Sequence, residues 1–318
     1  MTVYPKISII TPSFNQGQYI EQTILSIINQ NYPNLEYIII DGGSTDNTTD
    51  IIKKYEPFIS YWTSEPDRGQ SDALNKGLAK CTGDIFNWIN SDDYLEENAL
   101  FKVAEHFTNN PASELVCGWC SLFDEETLKE SFKHRTEIFK TLEETLVEQR
   151  INQPASFYKL SIVKKIGGIN DQLNYVMDLD LWFRYLVTRG QKNILVVDDL
   201  LAHFRLHDQS KTIKLLPEFR KEEKLLWHHL LQQIKIDDPL RAFFSVSTPY
   251  NNLIKWDCSA VNKQKLIDAL CKRYFFDWYK SGNRSVAKFA FMNQLKAGNI
   301  TLGRNAAALF YNLFFKAR

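Results

Sequence analysis

The sequence has little cysteine and no long apolar run. Its 318 residues include 5 cysteines, an odd and widely spread set that does not resemble a disulfide framework, so we expect a reducing compartment. Cys117 and Cys120 form a CxxC, but without a second pair or a nearby histidine we interpret them as ordinary strand residues. No apolar segment approaches the ~18 residues of a membrane span. The chain opens on the strand-like "KISIIT" without a signal peptide, which predicts a cytoplasmic protein, soluble or peripheral to the membrane.

Two familiar phosphate-binding loops are also missing. Neither GxGxxG nor GxxxxGK[ST] occurs, which argues against a dinucleotide-dependent enzyme and against a Walker-type ATPase. The loop "TPSFNQGQ" after the first apolar run has no basic residue. A sugar nucleotidyltransferase usually needs a glycine-rich loop with Lys or Arg at that place, so this loop argues against such an enzyme.

The chain lacks an excess of charge, with a formal net charge of +0, but the charge is unevenly distributed. Asp277 is the last acidic residue. The basic residues after it are Lys280, Arg284, Lys288, Lys296, Arg304, Lys316 and Arg318. Two interpretations stay open: the tail binds an anionic membrane surface, or it is a basic helical subdomain that packs on the acidic remainder. We expect no nucleic-acid partner.

What the sequence does contain is an alternation of strand and helix patterns. The strand-like runs are "ISIITPS" (7–13), "LEYIIIDGG" (35–43) and "DIFNWINSDD" (84–93). Helical spacing is carried by Ile20, Ile24, Ile27 and Ile28, by Ile51, Ile52 and Tyr55, by Ala73, Leu74 and Leu78, and, in a helix expected to start near Glu96, by Ala99, Leu100, Val103 and Phe107. This βαβα order predicts an α/β fold with a mainly parallel sheet flanked by helices. From Pro217 the pattern is helical, which predicts a catalytic domain over 1–214 and a helical C-terminal region over 215–318.

Each of the three runs ends in polar residues. These ends are Thr11-Pro12-Ser13 with Asn15, then Asp41-Gly42-Gly43-Ser44, then Asn90-Ser91-Asp92-Asp93. Open α/β sheets bind their ligands in the crevice outside the carboxyl ends of the strands. We therefore expect the three clusters to converge on one site.

The strand-end carboxylates have a structural and a functional interpretation. A glycine turn and a helix N-cap explain most of "DGGSTDNT", but Asp41 at a buried strand end needs a donor, which the imide N–H of a nucleobase would supply. Ser91, Asp92 or Asp93 would cap the following helix, yet two adjacent carboxylates exceed what one cap requires. Because Mg²⁺ and Mn²⁺ bind through one or two carboxylates plus phosphate oxygens, the clusters together favour a metal and diphosphate site.

Three later segments add candidates. "EPDRGQSDALNKG" places Arg68 and Asn75 beside a glycine loop that opens a helix, where phosphate binds, although a solvated loop is the alternative. In "MDLDLWFR", Asp178 follows the apolar "YVM", which favours burial and a raised pKa suited to a general base, whereas Asp180 is expected to be structural. In "HFRLHDQSKT", His203 is interpreted as a strand residue, and His207 as a residue that would close a metal or diphosphate site.

Taken together, these segments resemble the family 2 inverting glycosyltransferases of the GT-A fold, particularly bacterial enzymes of polysaccharide and lipid-linked oligosaccharide assembly. The matching segments, in the family's order over about residues 5 to 212, are "TPSFNQGQYIEQTILSIINQNYPNLEYIIIDGGSTDNT", "SEPDRGQSDALNKG", "NSDD", "NQPASF", "MDLDLW" and "FRLHDQSKT". The tail beyond residue 217 lies outside the resemblance.

The resemblance implies a role for each matching residue. Nucleotide-sugar binding is implied for Thr11, Pro12, Asn15, Asp41, Arg68, Asn75, Ser91, Asp92 and Gln153. Metal coordination is implied for Asp92, Asp93 and His207, and general base catalysis for Asp178. Two positions depart from the pattern: Asn90 stands where many relatives have Asp, and Met177 where many have Glu. The first implies weaker metal binding, and the second leaves the acceptor contacts open.

The expected function is therefore metal-dependent, inverting transfer of a sugar from a UDP-, GDP- or dTDP-sugar to a hydroxyl of a saccharide or lipid-linked acceptor, with Mg²⁺ or Mn²⁺ as cofactor. An inactive nucleotide-sugar-binding or scaffold protein is the alternative from another class, and a sugar nucleotidyltransferase is a third. The intact Asp41, Asp92, Asp93 and Asp178 argue against loss of activity.

Overall fold

The computed structural model describes residues 4–124, 130–207, 214–237, 239–245, 254–300 and 304–315, without the side chains of residues 304 and 305. The chain divides into two compact units. The first contains 1–138, 150–185 and 191–220, and the second 139–149, 186–190 and 221–318. The sequence places its domain boundary after residue 214 and does not anticipate the two short segments that join the helical unit. That boundary stays a prediction.

The first unit is built on one sheet. Its strands are β1 (Ile7–Ser13), β2 (Leu35–Asp41), β3 (Tyr61–Ser64), β4 (Ile85–Trp88), β5 (Tyr94–Leu95), β6 (Leu115–Asp124), β7 (Glu130–Arg135), β8 (Ser156–Lys159) and β9 (Ile194–Leu206). They lie in the order β3-β2-β1-β4-β8-β6-β9-β5, and β7 pairs with β6. Strands β3, β2, β1 and β4 are parallel, as predicted. Strand β8 is antiparallel to β4 and to β6, so the sheet as a whole is mixed.

The predicted helices of the first unit form where the apolar spacing places them. They are α1 (Ile20–Ile28), α2 (Thr48–Lys54), α3 (Gln70–Leu78) and α4 (Ala99–Asn109). Helix α3 packs closely on β1, because a Cβ on Gly77 would lie only 2.8 Å from Ile10 Cδ1. This close approach places the C-terminal turn of α3 directly against the middle of β1. Helix α4 starts three residues later than expected near Glu96, after Asn98 in a left-handed conformation.

The remaining helices are shared between the two units. They are α5 (Leu142–Glu148), α6 (Leu160–Lys165), α7 (Met177–Arg189), α8 (Leu216–Gln233), α9 (Leu240–Phe243), α10 (Lys263–Lys280), α11 (Arg284–Lys296) and α12 (Arg304–Phe314). The expected helical C-terminal region is confirmed, since α10, α11 and α12 all lie in the second unit. Within the described residues, no helix combines the length and the apolar character that crossing a membrane would require.

Glu36 ties the start of β2 to the neighbouring loops. Its carboxylate accepts hydrogen bonds from Lys6 Nζ and Ser8 Oγ, each at 2.6 Å, and from the backbone N–H of Thr82 at 2.7 Å. Burial alone would raise the pKa of Glu36, but these donors outweigh it and lower the pKa to about 2. The charged carboxylate is therefore a net stabilising group in the folded protein.

We expect Glu36→Gln to lower the free energy of unfolding by on the order of 2–3 kcal/mol at pH 7. Because the folded-state pKa lies below the unfolded value, this contribution is present above about pH 4.5 and is lost as the pH falls towards 2. Urea unfolding at pH 7, 4 and 3 should show the wild-type advantage shrinking. The exposed Glu97→Gln serves as control. An advantage of constant size across these pH values would refute the linkage.

Candidate functional site

The three polar strand ends meet, as the sequence predicts. Because β1, β2 and β4 are parallel neighbours, Ser13 lies opposite Asp41, and Ile10 lies opposite Trp88 at the end of β4. A cavity of about 880 Å³ opens at this edge of the sheet. The strand ends contribute Pro12, Ser13, Gly42, Asn90, Ser91 and Asp92 to its lining. Every residue that lines it belongs to the first unit.

Asp41 is fully buried at the end of β2, and the protein itself supplies its donors. Its carboxylate accepts hydrogen bonds from Ser44 N–H at 2.8 Å, from Ser44 Oγ at 2.5 Å and from Ser64 Oγ at 2.6 Å. The burial of Asp41 therefore needs no nucleobase to explain it. The hydrogen bonds of Asp41 shape the loop that starts at Gly42, and Gly42 lines the cavity.

Thr11 and Asn15 also have internal roles. Thr11 is buried, and its Oγ1 accepts a hydrogen bond from Tyr37 Oη at 3.1 Å. Asn15 adopts a left-handed conformation with φ of 52°, and its Oδ1 accepts a hydrogen bond from Thr45 N–H at 2.8 Å. Neither lines the cavity, whereas Pro12 between them does. Asn15 thus joins the two loops that follow β1 and β2.

Arg68 and Asn75 face a loop of their own unit instead of the cavity. Asn75 exchanges two hydrogen bonds with the backbone of Ile169, through Nδ2 at 2.8 Å and Oδ1 at 3.2 Å. Arg68 forms an ion pair with Asp171 at 3.0 Å, and Ser71 Oγ donates to the carbonyl of Leu173 at 2.5 Å. These contacts fasten α3 to the segment that leads into α7.

Asp92 lines the cavity and contacts His207, which does not line it. Asp92 lines the cavity with a side chain that is 24% exposed, and its Oδ2 lies 3.1 Å from His207 Nε2. Arg205 holds the backbone of Asp92, because Arg205 Nε donates a hydrogen bond to the carbonyl of Asp92 at 3.0 Å. Ser91 and Gln153 line the same cavity, and Gln153 Nε2 donates to the carbonyl of Trp88 at 2.7 Å.

Asp93 faces away from the cavity. It is 1% exposed, and its two oxygens accept hydrogen bonds from Arg205 N–H and Asn90 Nδ2, each at 3.1 Å. Burial, with the charge of Asp92 beside it, holds the pKa of Asp93 well above its usual range. Neither carboxylate caps the next helix, because β5 follows directly and α4 starts only at Ala99. The geometry thus favours Asp92 with His207 over Asp92 with Asp93 as cation ligands.

The departure at Asn90 has a physical reason. Its amide nitrogen donates to Asp93 Oδ2, and its Oδ1 accepts from Gln70 Nε2 at 2.7 Å. An ionised Asp at this position has no hydrogen to donate to Asp93. The asparagine therefore links the end of β4 to the N-terminus of α3.

Asp178 and Asp180 lie at the start of α7 and point in different directions. Asp178 lines the cavity. Asp180 is fully buried, where its Oδ2 lies 2.7 Å from Arg184 Nε and its Oδ1 accepts from Asn170 Nδ2 at 3.2 Å. Arg184 in turn donates to the carbonyl of Gly168 at 2.7 Å. Asp180 is thus part of the core, through an ion pair that the sequence does not reveal.

Carboxylates are prominent in the lining of the cavity. Its lining includes the carboxylates of Asp67, Asp92 and Asp178, and among the described lining residues there is no Lys or Arg. Divalent cations commonly bind a diphosphate together with one or two carboxylates. The donor set fits such a cation: a hard divalent cation takes few protein ligands when phosphate oxygens complete its shell, and Asp92 and His207 offer two adjacent ones. No group of three or more His, Cys, Asp or Glu suited to a metal occurs in the described part of the chain.

Several lining residues have no counterpart in the sequence-based prediction. They are Phe14, Gln16, Gln70, His134, Asn174, Tyr175 and Phe219. The exposed Phe14 directly follows the polar end of β1, and an aromatic residue in this polar segment is the signal that would have found it. His134 and Phe219 lie far along the chain on β7 and α8, and no local pattern marks them.

Comparison with known proteins agrees with this architecture. The family model described as Glycosyl transferase family 2 matches residues 8–166, half of the chain. An uncharacterized glycosyltransferase of Rickettsia typhi is 28% identical over 244 residues, which is 73% of this chain and 74% of that protein.

Two solved structures share the fold at low identity. S. aureus TarS 1-349 in complex with UDP-GlcNAc has a TM-score of 0.57 and 16% identity, over 94% of this chain and 93% of that one. The mannosyltransferase PcManGT from Pyrobaculum calidifontis, in complex with GDP-Man and Mn²⁺, has a TM-score of 0.54 and 16% identity, over 98% and 80%. The fold is therefore that of GT-A glycosyltransferases, and the chain is a glycosyltransferase that belongs to glycosyl transferase family 2.

Proposed function

We propose that this glycosyltransferase moves a sugar from a nucleotide-diphosphate donor to a hydroxyl of a saccharide or lipid-linked acceptor, with inversion at the anomeric carbon. One observation carries the proposal: Asp92 and Asp178 line the same cavity, and Asp92 also contacts His207. No Lys or Arg is among the described residues that line this cavity. Asp92 with His207 suits the diphosphate, and Asp178 suits the attacking hydroxyl.

Asp178 is proposed as the general base. As the acceptor oxygen forms its bond to the anomeric carbon, the hydroxyl proton passes to the Asp178 carboxylate. The bond from that carbon to the β-phosphate oxygen breaks, and its electron pair leaves with the nucleoside diphosphate. A single displacement of this kind inverts the configuration. Asp178 sits at the first turn of α7, whose position is fixed by the buried pair of Asp180 and Arg184.

Asp92 and His207 are proposed to hold Mg²⁺ or Mn²⁺. Bound there, the cation would act as a Lewis acid that neutralises the charge developing on the leaving diphosphate. Asp93, through its bond with the N–H of Arg205, would keep this strand end in place. The Mn²⁺ in the structure of PcManGT supports a metal requirement without establishing it for this chain.

The donor is proposed to lie along the ends of β1, β2 and β4. Pro12, Ser91 and Gln153 line the cavity there and are proposed to contact it directly. Asp41, Asn15 and Thr11 shape the loops after β1 and β2, while Arg68 and Asn75 hold the segment before α7. These five we propose as positioning residues. UDP-GlcNAc and GDP-Man in the structural neighbours support a nucleotide-sugar donor of either base.

A thermal-shift panel of UDP-, GDP- and dTDP-sugars, with Mn²⁺ and with EDTA, tests the proposal. A ligand that binds only the native protein at 100 times its Kd adds about 2.7 kcal/mol to stability. We expect one nucleotide class to raise the Tm with Mn²⁺ and to do so much less with EDTA. Release of nucleoside diphosphate from that donor separates an active enzyme from an inactive binding protein. Formation of nucleoside triphosphate and sugar 1-phosphate from that donor and added pyrophosphate would favour a nucleotidyltransferase.

We also propose that the helical unit contacts an anionic membrane surface. Phe310, Tyr311 and Phe315, at the end of the chain, are exposed, and Lys288 Nζ lies 5.0 Å from the ring centre of Phe314. Apolar rings beside basic side chains suit an anionic lipid interface. Of the basic residues that follow Asp277, Lys316, Arg318 and the Arg304 side chain lie outside the described residues.

Vesicle sedimentation tests this contact. The triple variant Phe310→Ser, Tyr311→Ser, Phe315→Ser should pellet less with phosphatidylglycerol vesicles than the natural protein, and 0.5 M salt should release both. Phe58→Ser, an exposed ring of the first unit, is the matched control and should pellet normally. Equal pelleting of all three proteins would favour the alternative in which the basic tail packs on the rest of the chain.

A further inference from the structure

One wall of the cavity is a continuous face of three strands. Cys120 and Leu122 alternate along β6 and point to the same side, as do Phe204 and Leu206 along β9. Leu122 pairs with Phe204 in the sheet. On the other side of β6, His134 of β7 lies opposite Cys120, so its side chain belongs to the same face. All five side chains line the cavity, and we call them the β6 wall.

The β6 wall is uncharged. Burial and the nearby charge of Arg150 lower the pKa of His134, and burial raises the pKa of the Cys120 thiol, so both are neutral at pH 7. The ring nitrogens of His134 make no hydrogen bond to any described residue, whereas its backbone carbonyl accepts from Asn152 Nδ2 at 2.9 Å. The wall thus presents a largely apolar surface on which the imidazole of His134 is available for a hydrogen bond.

We propose, resting on the proposed function, that the β6 wall is the acceptor subsite and that it selects an uncharged sugar, with His134 hydrogen-bonding to one of its hydroxyls. A pyranose has an apolar C–H face that packs on apolar side chains such as Leu122 and the ring of Phe204, while its edge carries the hydroxyls. A uronic acid or a phosphorylated sugar would bring a carboxylate or phosphate to this wall. Because no Lys or Arg is among the described residues that line the cavity, desolvating that charge is costly, and Asp92 and Asp178 repel it.

The test compares matched acceptors that differ only in charge. The probes are methyl glycosides of glucose, galactose and mannose, each paired with its methyl uronoside, offered with Mn²⁺ and the donor found in the thermal-shift panel. Saturation-transfer NMR measures acceptor binding, and nucleoside diphosphate release measures turnover above donor hydrolysis. We expect at least one neutral glycoside to bind and to stimulate release about 10-fold better than its uronoside.

Variants then locate the subsite. His134→Ala should raise the KM for the neutral acceptor by about 5- to 10-fold, the usual worth of one hydrogen bond, and leave donor hydrolysis unchanged. His134→Gln should restore much of the affinity. Phe132→Ala is the matched control, since this neighbour on β7 is 55% exposed and does not line the cavity.

Three outcomes would overturn the inference while donor hydrolysis confirms the enzyme: uronosides that bind as well as their neutral partners, no NMR contact from any neutral glycoside, or a His134→Ala effect equal on hydrolysis and on transfer. Failure of the proposed function itself looks different, because no donor would then release nucleoside diphosphate, with or without an acceptor.

Discussion

Asp178→Asn is expected to lower the transfer rate by about 10²- to 10⁴-fold, the usual worth of a positioned general base. Asparagine keeps the shape of the side chain at the cavity and removes its ability to take the proton of the acceptor hydroxyl. Donor affinity and the Tm should stay close to those of the natural protein, because Asp178 lines the cavity instead of the core. Steady-state kinetics with saturating donor and acceptor measure the loss.

Asp171→Asn is the matched control for this variant. Asp171 lies on the segment before α7, does not line the cavity and is paired at the surface with Arg68 at 3.0 Å. It should keep nearly full turnover. If a folded Asp178→Asn protein kept normal turnover, the general base would have to be sought elsewhere. Asp180→Asn is not an informative comparison, because it would leave Arg184 buried without its partner and lower stability by about 3–5 kcal/mol.

Asp92→Asn is expected to lower metal-dependent transfer by about 10²-fold or more, since charge stabilisation by a Lewis acid is worth several kcal/mol. The Mn²⁺ concentration that gives half-maximal activity should rise in this variant and in His207→Gln. The reason is that the two side chains lie 3.1 Å apart, and each variant lacks one of these two proposed metal ligands. A metal titration of activity, together with the donor-induced Tm shift at each Mn²⁺ concentration, measures both effects.

Asp93→Asn distinguishes two ligand sets for the metal, Asp92 with His207 and Asp92 with Asp93. Asp93 is buried against Arg205 N–H and Asn90, so its amide variant should change stability and leave the Mn²⁺ midpoint nearly where it was. A midpoint shift as large as that of Asp92→Asn would show that Asp93 is a ligand after all. Full activity of the natural protein in excess EDTA would contradict the metal requirement altogether.

The N-terminal half of the fold could be read from the sequence because its signals are local. Strand β1 covers residues Ile7–Ser13, the same run that its continuous apolar character predicts, and α1 begins at Ile20 as its isoleucine spacing indicates. The convergence of the strand ends followed from parallel order alone. The sequence does not predict strand β3, because "YWTS" has only four residues, is partly exposed and lies at the edge of the sheet.

The site was predicted less completely, because which way a side chain points depends on distant partners. Asp92 and Asp93 are neighbours with the same chemistry, and Asp93 is held inward by Asn90 and by the backbone N–H of Arg205, which lies more than a hundred residues later. The sequence predicts that Asn75 binds the donor, yet its side chain hydrogen-bonds to the backbone of Ile169. His134 reaches the cavity through the pairing of β7 with β6. No local sequence pattern encodes these long-range contacts.

The anomeric configuration of the product tests the central claim most directly. The natural protein, Mn²⁺, the donor chosen by thermal shift and the best neutral glycoside should be followed by proton NMR from the first minutes, before any free sugar mutarotates. The account predicts a glycosidic product whose anomeric configuration is opposite to that of the donor, formed together with nucleoside diphosphate and absent with Asp178→Asn. A product that retains the donor configuration, or an inverted one formed equally fast by Asp178→Asn, would contradict it.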